Sequence, residues 1–561
     1  MSVSNPPSIW RERYAHPCEW EQTFPPLSLP DMFADAAARH GEAPLVDFLG
    51  RRYSYRSLLE EARAFAAGLQ KLGIARGERI GLFLPNVPIY VPAYFGALIA
   101  GVIVVNFSPL YTAVELEAQV VDSGVRMLVT VDAAALLPTA LEVQRDSPLE
   151  YLVVGQLPAM LPRVQGWAMR LFLRRQLTPI PAQTGVLRWE DMLDAGAPAP
   201  VAIDPERDIA LLQYTGGTTG VPKGAILTHQ NLTANARQLR VIDTHRDDRD
   251  VVLGVLPLFH VFANTCILNR TIANGGMIAM LPKFDTAQVL ATIARVQPTS
   301  IFAVPTMLQA LLDHPAISAR RLTSVRACIS GGAPLPMPVK VRFEAATGTK
   351  VLEGYGLTES SGVVTTNPLY GGDQPGTIGQ PLPGTRVRLL DKEDATRDAP
   401  LGEPGELAVQ GPQIMQGYWH RPDAAATAFA MRDDGPWLRT GDIAVLADDG
   451  FLKIVDRSKD MIAVGGFKVF PSQVEAVLLQ HPAVREALVI GVPDDYRGEM
   501  PRAFVSLKQE QQVDGEALRD WLNMHVGKHE RVDAVVIRES LPKTTIGKLD
   551  RKALKAEVGS A

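Results

Sequence analysis

The stretch Ile209–Gly224 reads IALLQYTGGTTGVPKG and decides the fold prediction. Its first part, Ile209–Leu212, is apolar and predicts a buried strand. A loop rich in glycine and threonine follows, and the backbone N–H groups of such a loop can surround phosphate oxygens. Lys223 adds positive charge, but it stands between Pro222 and Gly224, whereas a Walker A loop requires Gly-Lys-Ser/Thr. The stretch therefore predicts a phosphate-binding loop after a strand, but not a P-loop NTPase.

Helical and apolar strand patterns alternate through the first four-fifths of the chain. In Ser57–Leu72 the apolar residues fall on one stripe of a helix, and the apolar strand Ile80–Leu84 follows. Such alternation predicts an α/β fold of packed layers with largely parallel sheets.

A long uncharged segment extends from Ile80 to Val114 and has the length of a transmembrane helix. Four prolines interrupt it, namely Pro85, Pro88, Pro92 and Pro109. We therefore predict a buried strand, a helix over Val91–Ile99 and a second strand over Val102–Phe107, in a sheet covered on both faces.

The composition changes from about Gly402, where glycine and proline become frequent and the strand patterns become shorter. This indicates a small β-rich subdomain, followed by a charged linker at Asp456–Asp460 and a compact α+β unit. Ser472 and Glu475 have the spacing of a capping box for a helix that ends near residue 481. We predict a large N-terminal domain over residues 1–456 and a small C-terminal domain over residues 457–561.

The composition limits the classes of function. With 56 basic and 61 acidic residues among 561, the net charge is −5, which argues against a protein that binds nucleic acid. Three cysteines, Cys18, Cys266 and Cys328, form no CxxC pair, which argues against a disulfide scaffold or a zinc module. The N-terminal residues have no apolar core, so no signal peptide is predicted and a cytoplasmic protein is expected.

The stretch Glu353–Glu359 (EGYGLTE) contains Gly-Tyr-Gly, but it lacks the third glycine of a dinucleotide fingerprint. Tyr355 can stack on adenine, and Thr358 can donate to a phosphate oxygen. Glu359 can hold Mg²⁺, a hard cation that prefers oxygen ligands. The stretch therefore indicates a second part of a nucleotide site.

Four more short strings complete the pattern: LPLFH at 256–260, SGGAP at 330–334, RTGD at 439–442 and LPKTTIGKLDR at 541–551. In their content and order, these strings and the glycine-rich loop closely resemble the motifs of acyl-adenylate-forming enzymes, which include acyl-CoA synthetases, luciferases and adenylation domains of peptide synthetases. Gly217, where many members carry Ser, is most similar to bacterial long-chain fatty-acid–CoA ligases. The resemblance extends from about Tyr53 to Lys552.

The resemblance implies a role for each residue of the motifs. His260 would admit the acyl carboxylate, Asp442 would bind the ribose with support from Arg457, and Lys548 would bridge the carboxylate and the α-phosphate. Catalysis is thereby assigned to Lys548, Thr218, Glu359 and His260, and Mg²⁺ binding to Glu359 and Thr218. The ATP- or AMP-binding set comprises Thr215, Gly216, Gly217, Thr218, Thr219, Gly220, Lys223, Gly331, Gly332, Ala333, Tyr355, Gly356, Thr358, Asp442, Arg457 and Lys548.

The resemblance also implies two half-reactions and a moving C-terminal domain. Lys459 matches the hinge position, and the segment with Gly465 and Gly466 would enter the site when coenzyme A reacts. It implies an N-terminal domain of two α/β subdomains plus a small β-barrel-like subdomain, and a small mobile α+β C-terminal domain.

ATP, Mg²⁺, coenzyme A and a fatty acid are the expected ligands, and the resemblance allows a homodimer. A long-chain fatty acid is the first expectation. A medium-chain or dicarboxylic acid, transfer to a carrier protein, and a non-catalytic acyl-nucleotide sensor remain alternatives. No carrier domain is recognisable in the sequence, which weakens the second of these.

The segment Arg163–Arg175 has the pattern of a basic amphipathic helix. Its apolar residues share one helical face and its arginines lie on another, and no acidic residue occurs from Tyr151 to Trp189. Such a helix can lie on an anionic membrane surface, here the inner face of the membrane. The alternative is an ordinary surface helix whose apolar face packs on its own protein.

Overall fold

The computed structural model describes residues 9–215, 222–317, 322–391, 394–457, 459–465, 467–494, 496–509, 511–544 and 547–559. The α-helices are α1 Ile9–Glu12, α2 Leu29–His40, α3 Tyr55–Lys71, α4 Tyr90–Ile99, α5 Ala113–Ser123, α6 Leu137–Asp146, α7 Leu157–Met160, α8 Arg163–Phe172, α9 Trp189–Leu193, α10 His229–Val241, α11 Val261–Ala263, α12 Arg270–Asn274, α13 Thr286–Val296, α14 Pro305–Leu312, α15 Met337–Thr347, α16 Pro422–Ala428, α17 Pro471–Leu478, α18 Gly515–His525 and α19 Arg551–Gly559.

The strands are β1 Pro44–Phe48, β2 Arg51–Ser54, β3 Arg79–Leu82, β4 Ile103–Asn106, β5 Met127–Val131, β6 Tyr151–Gly155, β7 Val186–Arg188, β8 Ile209–Thr215, β9 Lys223–Thr228, β10 Val251–Gly254, β11 Met277–Met280, β12 Ser300–Ala303, β13 Ala327–Ser330, β14 Val351–Tyr355, β15 Thr365–Thr366, β16 Gln380–Pro381, β17 Arg386–Leu390, β18 Gly405–Gln410, β19 Phe429–Arg432, β20 Gly435–Leu446, β21 Leu452–Arg457, β22 Ile462–Val464, β23 Phe467–Val469, β24 Val484–Asp494, β25 Gly498–Leu507 and β26 Val535–Ile537. Short 3₁₀ turns occupy Arg174–Gln176 and Thr358–Ser360, and a π-helix occupies Asn264–Asn269.

The first large sheet has seven strands in the order β7-β6-β5-β3-β4-β8-β9. All neighbours run parallel except β8 and β9, which form an antiparallel pair. The uncharged segment forms β3, α4 and β4, as predicted, and the residues of β4 and most of α4 are buried. Among the described residues, no helix has both the length and the apolarity needed to cross a bilayer.

The second large sheet has nine strands in the order β16-β15-β14-β13-β12-β10-β11-β1-β2. Its central strands from β14 to β1 are parallel, whereas β2, β15 and β16 pair antiparallel at the edges. One continuous apolar core includes residues of both large sheets. The predicted α/β fold with largely parallel sheets is therefore confirmed.

The predicted helix at Ser57–Leu72 is α3, which begins two residues earlier because Ser54 caps it. The Ser54 hydroxyl accepts from the Ser57 backbone N–H, a common N-cap arrangement. The apolar stripe of α3 is buried, and α3 packs against α4 and α9.

A small antiparallel sheet follows, with the order β17-β18-β20-β19 and β21 paired to β20. Its apolar residues form a separate core cluster. This is the predicted small β-rich unit.

The C-terminal part contains the sheet β23-β22-β25-β24, with β26 parallel to β25 and the helices α17 to α19. It has an apolar core of its own. Its longest feature is the antiparallel hairpin of β24 and β25.

The predicted capping box at Ser472 and Glu475 is wrong. Helix α17 begins with Pro471 and has no side-chain cap. The Ser472 hydroxyl instead donates to the Val455 carbonyl oxygen, at 2.9 Å. The Glu475 carboxylate accepts from the Val489 N–H and pairs with Arg551, at 2.7 and 2.5 Å. Both side chains therefore bond to residues that are distant in sequence or in another element, and neither caps α17.

Candidate active site

The sequence motifs converge at the carboxyl edge of the second large sheet. The 256–260 motif follows β10, the 330–334 motif begins at the last residue of β13, and Gly356–Glu359 follows β14. In sheets of parallel strands this edge is the usual place for a ligand. The topology therefore brings together motifs that are about a hundred residues apart.

The loop after β13 is fixed at both ends. The Gly331 N–H donates to the Ala303 carbonyl oxygen at 3.0 Å, and the Leu335 N–H donates to the Glu353 carboxylate at 3.1 Å. Burial raises the pKa of Glu353 to about 7. Ala333 is partly exposed on this loop, between the two anchors. We did not predict from the sequence that Glu353 supports the loop.

Asp442 lies at the centre of a buried polar group. One carboxylate oxygen accepts from the Tyr355 hydroxyl at 2.6 Å, and the other is 3.1 Å from Nε of Arg457. Burial raises the pKa of Asp442, while the charge of Arg457 opposes that rise. The structure therefore brings together three of the predicted nucleotide-binding residues.

Lys548 lies on a short loop of the C-terminal part that contacts the N-terminal part. The Gly547 carbonyl oxygen accepts from the Thr306 hydroxyl at 2.7 Å, and the Thr544 N–H donates to the Lys548 carbonyl oxygen at 2.7 Å. The Lys548 side chain packs on Gly332, which has φ +82°. A Cβ atom at Gly332 would lie 2.6 Å from Lys548 Cε and 3.0 Å from Nζ.

The environment of Lys548 lowers the pKa of its side-chain ammonium group. Burial lowers the pKa of Lys548 to about 8, and the charge of Arg457 adds to that decrease.

Burial, with a smaller contribution from Lys548, lowers the pKa of His260 to about 3. His260 is therefore neutral at physiological pH. Its Nδ1 accepts from the Phe262 N–H at 3.2 Å, so the ring proton lies on Nε2.

Glu359 has a partner that we did not predict. The Tyr418 hydroxyl donates to the Glu359 carboxylate at 2.7 Å, and the Lys223 Nζ lies 5.4 Å from the centre of the Tyr418 ring. Backbone hydrogen bonds hold this segment beside β9, among them Trp419 N–H to the Gly224 carbonyl oxygen at 2.8 Å. Burial and the charge of Glu359 raise the pKa of Tyr418, so its hydroxyl remains a donor.

The predicted phosphate loop connects β8 and β9. Thr215 is the last residue of β8 and lies opposite Lys223, the first residue of β9. The five residues Gly216, Gly217, Thr218, Thr219 and Gly220 lie outside the described residues. Gly356 and Thr358 are described, and Thr358 begins the 3₁₀ turn that carries Glu359.

The predicted hinge lies directly after β21. Burial lowers the pKa of Lys459, and the neighbouring Asp460 N–H donates to the Arg457 carbonyl oxygen at 3.1 Å. Gly465 is exposed in the turn between β22 and β23, and its N–H donates to the Arg497 carbonyl oxygen at 2.8 Å. Gly466 lies outside the described residues.

Comparison with known sequences gives the family. The sequence profile described as "AMP-binding enzyme" matches residues 33–419, and the profile "AMP-binding enzyme C-terminal domain" matches residues 473–548. The chain belongs to the AMP-binding enzymes. This is the acyl-adenylate-forming superfamily that its motifs resemble.

Individual relatives of this AMP-binding enzyme match it over nearly its whole length. The long-chain-fatty-acid–CoA ligase of Bacillus subtilis (strain 168) is 37% identical over 556 residues, which cover 98% of each chain. The ATP-bound structure of MatB from Rhodopseudomonas palustris is 28% identical, covers 95% of this chain and 99% of that one, and has a TM-score of 0.81. An anthranilate CoA ligase, AuaEII, in complex with anthranoyl-AMP, is 28% identical, with coverage of 96% and 98% and a TM-score of 0.83.

The described residues fit a metal that arrives with its substrate. They contain no group of three or more His, Cys, Asp or Glu side chains that could hold a metal ion alone. Glu359 supplies one carboxylate on a turn that contacts β8 and β9, the strands on either side of the phosphate loop. Mg²⁺ is commonly held by one or two carboxylates together with substrate phosphates. This donor set suits Mg²⁺ bound to ATP.

Proposed function

We propose that this AMP-binding enzyme is an ATP-dependent acid–CoA ligase that works through an acyl-adenylate. In the first half-reaction, a carboxylate oxygen attacks the α-phosphorus of ATP, the bond to the bridging oxygen breaks, and pyrophosphate leaves with the electron pair. In the second, the coenzyme A thiolate attacks the acyl carbon and AMP leaves. The activated intermediate divides one difficult condensation into two easier steps.

The observation that carries the proposal is the position of Lys548. Its side chain packs on Gly332 of the predicted nucleotide-binding loop after β13, and it interacts electrostatically with Asp442 and Arg457. A cation fixed there can bridge the acyl carboxylate and the α-phosphate as negative charge moves toward pyrophosphate. The packing of Lys548 on Gly332 supports its use in the first half-reaction.

The other residues would bind and orient the reactants. Tyr355, Asp442 and Arg457 would hold the adenosine, and His260 would face the acyl carboxylate as a neutral donor through Nε2. Lys223, with Thr215 and the loop between them, would bind the phosphates. Mg²⁺, held by Glu359 and Thr218 with the phosphates, would neutralise their charge.

The second half-reaction requires a different arrangement. Lys548 would leave the cleft by rotation of the C-terminal domain about Lys459, and the segment with Gly465 and Gly466 would take its place. The proposed boundary between residues 456 and 457 lies at the end of β21, so few residues need to change their backbone angles.

A long-chain fatty acid is the proposed substrate class. The support is the 37% identity to the Bacillus subtilis enzyme, whose name states that substrate. A medium-chain or dicarboxylic acid is the alternative, because one methylene group changes binding by only about 1–3 kcal/mol. Several substitutions in an acyl pocket could therefore change the preferred chain length.

The test is AMP release by the purified protein with ATP, Mg²⁺ and coenzyme A, over acids from acetate to oleate plus pimelate. Acyl-CoA is identified by mass. A maximum at long chains that requires coenzyme A supports the full proposal. A maximum at pimelate or at a medium chain retains the ligase and changes the substrate class. ATP binding without any turnover would contradict the ligase and favour an acyl-nucleotide sensor.

A further inference from the structure

An exposed apolar and basic surface lies on and after helix α8. We call it the α8 patch, and its residues fall within Arg163–Arg175. Five of the seventeen exposed large apolar side chains among the described residues belong to it: Val164 (78% exposed), Trp167 (63%), Leu171 (40%), Phe172 (76%) and Leu173 (46%). Single exposed apolar side chains are ordinary, whereas a contiguous group indicates a binding surface.

The opposite side of α8 is attached to the protein. Gly166 is buried against helix α7, where a Cβ atom would lie 2.2 Å from the Pro158 carbonyl oxygen. At the end of α7, the Met160 carbonyl oxygen accepts from the Tyr53 hydroxyl at 2.7 Å. The helix therefore packs through its glycine side, and its apolar side faces away from the protein. This excludes the alternative in which the apolar face packs on its own chain.

The segment after α8 is also fixed. The Gln176 carbonyl oxygen accepts from the Ala134 N–H, and the Thr178 N–H donates to the Asp132 carbonyl oxygen, both at 2.8 Å. A helix held in this way at both ends presents a preformed surface. Little conformational entropy is then lost when that surface binds a partner.

The charge of the α8 patch selects the partner. Arg163, Arg170, Arg174 and Arg175 are exposed, and no acidic residue occurs from residue 151 to residue 189. Asp132 interacts electrostatically with Arg170, but it is buried and accepts from the Leu157 N–H. The patch is therefore locally positive on a chain whose net charge is −5.

We propose that the α8 patch docks on the anionic surface of a lipid bilayer. Trp167 and Phe172 would enter the boundary between headgroups and acyl chains, and the arginines would contact lipid phosphates. Exposed aromatic residues beside arginines are the composition that favours this position. The inference goes beyond the proposed ligase activity, and docking does not depend on catalysis. It would place the enzyme where long acyl chains concentrate.

The first experiment measures co-flotation of the full chain with vesicles. We expect binding to vesicles of phosphatidylcholine with one-third phosphatidylglycerol, and weaker binding in high salt or on phosphatidylcholine alone. Each arginine removed should weaken binding about fivefold. Arg174→Gln/Arg175→Gln and Trp167→Ser/Phe172→Ser should both lose affinity. Arg207→Gln and Met431→Ser/Met524→Ser, which alter exposed residues elsewhere, should not.

The second experiment places Trp167 in the bilayer directly. The chain has seven tryptophans, and all except Trp167 are buried or partly buried. Brominated lipids should quench part of the fluorescence of the wild type, and Trp167→Phe should abolish that quenching. Absence of binding at low salt, or unchanged quenching in Trp167→Phe, would overturn the proposal.

A second copy of the chain is the competing occupant of the α8 patch. Sedimentation velocity without lipid distinguishes it from a bilayer. If Trp167→Ser/Phe172→Ser turns a dimer into a monomer and leaves vesicle binding unchanged, the bilayer proposal is overturned. AMP release in the same variants shows that they are folded. If neither the wild type nor any variant shows ligase activity but vesicle binding is retained, the result contradicts the proposed function and not the bilayer proposal.

Discussion

The Tyr418 hydroxyl donates a 2.7 Å hydrogen bond to the Glu359 carboxylate, and its ring lies beside Lys223. One side chain thus connects the proposed Mg²⁺ ligand with the lysine at the end of the phosphate loop. Because packing holds the Tyr418 ring, its hydrogen bond to the charged carboxylate restricts the orientation of both side chains. We infer that Tyr418 positions Glu359 before the nucleotide binds.

The first prediction concerns Tyr418→Phe, which removes the hydroxyl and keeps the ring beside Lys223. A hydrogen bond to a charged group contributes about 1.5–3 kcal/mol, so we expect adenylation to slow about tenfold or more. The half-saturating Mg²⁺ concentration should rise, because Glu359 loses its fixed orientation. The assay is pyrophosphate exchange at several Mg²⁺ concentrations.

Tyr370→Phe is the matched control for that variant. It removes a hydroxyl that donates to Asp243 at 2.9 Å, and Tyr370 belongs to none of the site motifs. We expect unchanged Mg²⁺ dependence in this control. Equal Mg²⁺ curves for wild type and Tyr418→Phe would contradict the positioning role.

The second prediction concerns the charge of Lys548. Lys548→Ala should slow acyl-adenylate formation by about 10²–10³. In the wild type, Lys548 is protonated below its pKa of about 8, so adenylation should decrease as the pH rises through that value. Lys548→Arg keeps a charge at all these pH values, since arginine does not deprotonate in proteins. It should be slower than the wild type but should lack the alkaline decrease.

The pH profile of pyrophosphate exchange tests this point. The same alkaline decrease in Lys548→Arg would assign the decrease to another group. Thioester formation from preformed acyl-AMP and coenzyme A is the internal control, because the proposed second half-reaction does not use Lys548. That rate should change little in either variant.

The third prediction concerns Gly332, on which Lys548 packs. Gly332→Ala would place a Cβ atom 2.6 Å from Lys548 Cε and would strain a backbone with φ +82°. We expect adenylation to slow at least about tenfold, a loss of roughly 1.4 kcal/mol in transition-state stabilisation. Gly348→Ala is matched in backbone strain, with φ +76°, but a Cβ atom there has no neighbour within 4 Å. Equal effects of the two substitutions on adenylation would contradict a specific contact with Lys548.

Local patterns predicted much of the fold. The apolar stripe of α3 and the uncharged run that forms β3, α4 and β4 are local in sequence, and each formed the predicted element. The Ser472 and Glu475 spacing is equally local, but it predicted the wrong contacts. In the folded protein Glu475 instead pairs with the charged side chain of Arg551, which is 76 positions away in sequence. A spacing rule contains no information about such a partner.

The candidate site likewise contains residues that a motif indicates and residues that no local pattern indicates. The family resemblance of short strings indicates Lys548, Asp442 and Glu359, whose roles stay predictions. Tyr418 and Glu353 act through contacts with residues 59 and 18 positions away, and no spacing marks them. Only the sheet order brings these pairs together.

The last prediction concerns Arg551, which ends the Lys548 motif and joins it to the C-terminal core. Its guanidinium contacts Glu475 at 2.5 Å and Asp460 at 3.1 Å, and burial raises the pKa of Glu475. Arg551→Leu would leave Glu475 buried without its cation, which typically costs about 3–5 kcal/mol of unfolding free energy. Arg519→Leu breaks a more exposed pair with Asp520 and should cost at most about 1 kcal/mol.

Urea unfolding, followed by a probe in the C-terminal part, measures these costs. The double variant Arg551→Leu/Glu475→Leu removes the uncompensated charge as well as the pair, so it should recover much of the lost stability. If the double variant is as unstable as Arg551→Leu, packing of the arginine stem, rather than the buried carboxylate, sets the cost. Adenylation should decrease in both variants, because the loop that carries Lys548 is attached through Arg551, which neither variant retains.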